Sequence, residues 1–111
     1  MEAPRLQIKE ELLLAKQSRL EGNEGRARVC ARRAAGAAVK EYLEREGITD
    51  KQENAIQSLI ILEQLEKLPT RVQKAVELLV QRVNLDHNLP PEVDLIQEAE
   101  VVIQYTEADD L

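Results

Sequence analysis

Residues 24–44, EGRARVCARRAAGAAVKEYLE, decide how this chain folds. Ala27, Ala31, Ala34, Ala35 and Ala38 recur at steps of three and four, with Gly36 among them, which is the rhythm of one face of an α-helix. Small side chains on such a face let another backbone come close, so this stretch predicts a tightly packed seam between helices. The helix is expected to run from about Glu24 to Glu44, and Gly47 in the REGIT segment stands where a helix C-terminus needs a glycine. Cys30, the only cysteine, lies inside the alanine-rich run; that excludes an internal disulfide and reads as a buried structural thiol.

Upstream, a first helix is expected from about Pro4 to Leu20, stopped by Gly22-Asn23 and pairing antiparallel with the second. Leu6, Leu13 and Leu20 repeat at heptad spacing and, with Leu12 and Ala15, make an apolar stripe. Lys9, Glu10, Lys16 and Arg19 face water. Downstream, Thr49 followed by Gln52 predicts a capping box opening a third helix with Ala55, Ile56, Leu59, Ile60, Leu62 and Leu65 on its apolar side. Pro69 breaks the chain. Thr70 with Gln73 repeats the capping pattern ahead of a fourth helix that carries Val72, Ala75, Val76, Leu79, Val80 and Val83 and ends near Asn84. LDHNLPPEVD is a rigid connection, and a last helix leaves it at about Pro91 or Glu92 with Leu95, Ile96, Ala99, Val102 and Ile103 as its buried face. The pattern is all-α, with no strand signal.

With 111 residues the chain fits one domain, spanning residues 1–111. It is 43% hydrophobic and 32% charged, yet Tyr42 and Tyr105 are its only aromatic residues. A core of Leu, Ile, Val and Ala alone is thin, so a homodimer that covers apolar helix faces is expected. The net charge of −6 and the isoelectric point near 4.9 argue against a protein that coats nucleic acid or an anionic membrane, since both need a broad positive field. No apolar run is long enough to cross a bilayer and no signal peptide is read, so the chain is expected to be cytoplasmic. One His and one Cys make no metal site, and the scattered glycines make no phosphate loop, so neither metal nor cofactor is expected.

Against the acidic background, Arg26, Arg28, Arg32, Arg33 and Lys40 cluster on the second helix. Arg26, Arg28, Arg32 and Arg33 are candidate phosphate-binding residues, in two stripes flanking the alanine face. The alternative is that they pair with acidic helices of the same molecule or of a partner.

The sharpest local signal is RVNLDH, where Arg82 precedes the only histidine, His87, by five positions. An amphipathic helix pair, an alanine-rich second helix, a leucine-rich third, this Arg and His before the last helix, and a final VDLIQEAEVVIQY together resemble the HEPN family of small helical domains. The resemblance spans most of the chain. It implies an up-and-down four-helix bundle, here with an extra short helix or a broken fourth helix, dimerised so that Arg and His of two subunits share a cleft. Active members of the family are metal-independent ribonucleases. Carried over, His87 handles protons at the ribose 2′-hydroxyl or the leaving oxygen, and Arg82 holds the phosphate under attack. Catalytic members place a polar residue after the Arg, whereas Val83 stands here. The leading expectation is therefore a binding and dimerisation module for a nucleotide, RNA or partner protein, the implied protein partner being a small nucleotidyltransferase. A toxin-type ribonuclease using Arg82 and His87 is the alternative, and a purely structural helical assembly a second one.

Overall fold

A computed structural model describes residues 3–48, 54–65, 67–81 and 93–108. Among them are five helices, α1 (Ala3–Leu20), α2 (Glu24–Arg45), α3 (Ala55–Leu65), α4 (Thr70–Val80) and α5 (Leu95–Ala108), and no strand.

α1 and α2 form an antiparallel hairpin. Gly22, at φ 84°, takes the left-handed conformation that closes α1, with the Asn23 amide donating to the Ser18 carbonyl at 2.8 Å. Asn23 then caps α2 by accepting from the Arg26 amide at 3.0 Å. At its far end α2 closes as the REGIT segment predicts, with Gly47 and Ile48 donating back to Glu44 and Leu43. Arg19, near the end of α1, ties three elements together. It clasps Glu24 with two hydrogen bonds, at 2.9 and 2.7 Å, and donates to Asp94 at 2.8 Å. The bond from Arg19 holds the Glu24 carboxyl below its ordinary range. Asp94 is held low as well: burial works against its charge, but Arg19 and the amides of Gln97 and Ile96 outweigh that.

α2 is the central helix, packed by α1, α3 and α5. Its start lies beside the start of α5 through Arg19. Their ends meet as well, where Arg45 donates to the Thr106 carbonyl at 2.7 Å and the Tyr42 and Tyr105 rings lie 6.1 Å apart. The two helices therefore run parallel. α2 buries Ala27, Cys30, Ala31, Ala34, Ala35, Gly36, Ala38, Val39, Tyr42 and Leu43, which confirms its alanine face as the seam. The main core adds Ala15, Leu59, Leu62, Leu79, Leu95, Ala99 and Val102. Ile8, Ala34, Ala38 and Ile103 make a satellite between α1, α2 and α5.

Several sequence expectations need correction. Leu6, Leu13 and Leu20 are exposed; of the expected stripe only Ala15 is buried and Leu12 half-buried against the core, and Ile8 and Ser18 join them on the inner face. α3 starts at Ala55 and is capped by Asn54, whose Oδ1 accepts from the Gln57 amide at 2.9 Å; Thr49 and Gln52 lie outside the described residues. Leu65 is exposed while Ser58 is buried. At α4 no capping box forms: Pro69 stands at the N-cap position without a side-chain bond, and Gln73 donates to Glu63 and Glu77. α4 stops at Val80 rather than near Asn84, and α5 starts at Leu95 under an Asp94 cap rather than at Pro91 or Glu92. Val83, Asn84, Pro91 and Glu92 lie outside the described residues. The buried face of α5 is the expected one, with Leu95, Ile96, Ala99, Val102 and Ile103 all enclosed.

Gly36 controls how closely α2 and α3 approach. A Cβ added there would lie 2.3 Å from the Ala55 Cβ and 2.5 Å from its Cα, well inside van der Waals contact. Gly36→Ala is expected to destabilise the protein by about 1–3 kcal/mol, despite the roughly 1 kcal/mol that alanine gains over glycine in a helix. Urea unfolding measures this, and the double variant Gly36→Ala with Ala55→Gly should recover part of the loss.

Candidate anion-binding groove

The site begins with a side of α2 that none of the described helices covers. Arg26, Arg33 and Lys40 are spaced by seven residues and therefore lie in a line along it, over about 21 Å. All three are exposed. α1 walls this line on one side and the start of α3 on the other, enclosing a groove of about 750 Å³. Arg32, Arg33 and Lys40 line it from α2, Gln7 and Glu11 from α1, and Asn54, Ala55, Ile56 and Gln57 from the first turn of α3. The Gly36–Ala55 approach brings that turn down onto the cationic helix. The Asn54 side chain accepts from the Gln57 amide, and the positive end of the α3 dipole adds to the field of the cations that line the groove.

The four candidate phosphate-binding arginines separate. Arg33 and Arg32 line the groove, whereas Arg26 and Arg28 are not part of its lining. Arg26 stands exposed in the same row. Arg28 points towards Glu24, with Nε 3.7 Å from the carboxylate and making no hydrogen bond. Arg32 has a structural duty: its Nε donates to the Leu79 carbonyl at 2.8 Å and its Nη2 to the Gln81 carbonyl at 3.2 Å, so it satisfies the end of α4. Burial, with the neighbouring Arg28 charge, lowers the Arg32 pKa below its ordinary value. Arg28 therefore faces a carboxylate of its own helix, and Arg32 pairs with backbone carbonyls.

One anion faces these cations. Glu11 lines the groove, and its Oε1 is enclosed without a hydrogen-bond partner. Burial, and then the Glu11 charge, push the Cys30 thiol up, which agrees with its reading as an unreactive core group. The groove retains a net positive lining.

Sequence reasoning found the cations but not the turn of α3 that faces them. Asn54, directly before the apolar run, was the available signal, since asparagine is a strong N-cap residue. Arg82 and His87 lie outside the described residues. Among those described, no group of three or more metal-ligating side chains occurs, and no helix is long and apolar enough to cross a membrane. No known family, curated protein or solved structure matches the chain.

The different duties of two adjacent arginines give a stability test. Arg32→Ala leaves two carbonyls at the end of α4 without their donor and should cost about 1–2 kcal/mol, whereas Arg33→Ala should stay within about 0.5 kcal/mol of the parent. Equal losses in urea unfolding would contradict the assignment.

Proposed function

We propose that this chain is a HEPN-like binding module that dimerises and holds a phosphate-bearing ligand, RNA or a nucleotide, in the groove along α2. In this reading the five helices are an up-and-down four-helix bundle with an extra short helix. One observation carries the proposal: Arg32, Arg33 and Lys40 converge with the first turn of α3 in a concave site on a protein whose net charge is −6. Phosphate is the chemistry that matches such a site, because guanidinium groups bind its oxygens in pairs and helix amides bind them singly. The lining offers no aromatic residue for base stacking, so recognition rests on the phosphate rather than on the base. A partner protein in this reading is the small nucleotidyltransferase that the family resemblance implies.

A second reading, the metal-independent ribonuclease, draws support from a different contact. Arg32 holds the carbonyl of Gln81, the residue immediately before Arg82, at 3.2 Å. The chain that carries Arg82 and His87 therefore departs from a point fixed on the cationic helix. In this reading the groove holds the substrate phosphates, Arg82 stabilises the phosphate under attack and His87 moves the protons.

Fluorescence polarisation with a labelled single-stranded RNA, and competition by ATP, test the binding reading. Charge reversal at two exposed positions, Arg33→Glu with Lys40→Glu, should weaken retention at least about tenfold and flatten the dependence of log K on log salt by about 1.4. Retention unchanged by the pair would remove the groove from the account. For the ribonuclease reading, RNA should be cut in the presence of a metal chelator, and His87→Ala should abolish cutting with the helical circular dichroism intact. Cutting that survives His87→Ala would sink that mechanism while leaving the binding result untouched.

A further inference from the structure

α1 shows solvent a row of leucines that its own fold does not use. Leu6, Leu13 and Leu20 are 55%, 66% and 87% exposed. Their seven-residue spacing keeps them in one line, drifting by about 20° per step, over about 21 Å of helix. Ala15 and Ile8, which α1 buries, are close to half a turn away from this line, so the leucines stand on the face opposite the seam with α2. Their borders are charged differently. Lys9 and Lys16, four residues before and three after Leu13, run along one side, and Glu10 and Gln17, three before and four after, along the other. All four are exposed; Lys16 is already paired with Glu100 of α5 at 3.2 Å, so Lys9 and Glu10 carry the charge contrast between the borders.

We infer that this row is the contact for a second copy of the chain, with the two α1 helices side by side and parallel about a two-fold axis that runs along them. Charge selects the direction. In a parallel pair the lysine border of each helix meets the Glu10–Gln17 border of the other, and Lys9 of one copy comes level with Glu10 of its mate. An antiparallel pair sets lysines against lysines and glutamate near glutamate, which costs energy. The same pattern disfavours a lipid surface: helices that lie on membranes present a wide apolar face with cations on the polar side, whereas this row is one leucine wide and acidic along one border. A helix pair of this length lies at the low end of specific interface sizes, so a weak, concentration-dependent dimer is expected. The inference gives a surface to the dimer of the reading proposed above and rests on that part of it, but not on ligand binding by the groove.

Sedimentation velocity of the full chain from about 1 to 300 μM tests it. The parent protein should pass from monomer to dimer over that range, and Leu13→Glu should raise the dissociation constant at least about tenfold with circular dichroism unchanged. Leu13→Ala, which preserves helix propensity, should weaken the dimer in the same direction. In a Cys30→Ala background, Leu6→Cys should cross-link to itself on mild oxidation. A protein monomeric throughout the range would overturn both the surface and the dimer; a dimer indifferent to Leu13→Glu would overturn the surface alone. Disulfides that form only when Leu6→Cys and Leu20→Cys proteins are mixed would overturn the parallel arrangement.

Discussion

The close approach of α3 to α2 at Gly36 is the constraint on which the rest depends. A Cβ at that position would overlap Ala55, so the two backbones are nearer there than any residue other than glycine permits. The alanines around it are buried as well, so small side chains make up most of the α2 face that its neighbours cover. Close packing in turn limits what remains open. Covered on most of its circumference, α2 has one narrow strip left, and Arg26, Arg33 and Lys40 occupy it. The groove therefore follows from the seam: the same approach that buries the alanines sets the first turn of α3 opposite the cations.

The inner face of α1 is set by a different group of residues from its leucine row. Ile8, Ala15 and Ser18 fill the inner side, with Leu12 half-buried beside them. Leu6, Leu13 and Leu20 stand on the outer face, where no described helix covers them. A thin core with an exposed apolar row is the condition under which association adds stability.

Much of this was legible in the residues. The period of Ala27, Ala31, Ala34 and Ala38 located the seam, Gly22 and Gly47 marked the helix ends, and the alternation in Leu95 to Ile103 gave the buried face of α5. What escaped did so for identifiable reasons. In α1 two apolar faces compete, one of Leu6, Leu13 and Leu20 and one of Ile8, Leu12 and Ala15; heptad spacing picks out the first, and only the tertiary contacts select the second. At α4, Thr70 and Gln73 have the spacing of a capping box, but Pro69 is already an adequate entry and Gln73 finds acceptors in Glu63 and Glu77. For the site, proximity in sequence identified Arg28 and Arg32 as readily as Arg33. Which of them faces a groove depends on the partners around α2: Glu24 draws Arg28 and the end of α4 draws Arg32.

The most direct test of this account is a nuclear Overhauser measurement between the Gly36 α-protons and the Ala55 methyl group in the folded chain. A strong cross-peak is the predicted result, because the two residues are in backbone contact. If the Ala55 methyl instead shows contacts to other helices and none to Gly36, α3 does not close onto α2, and the groove built on that closure does not exist.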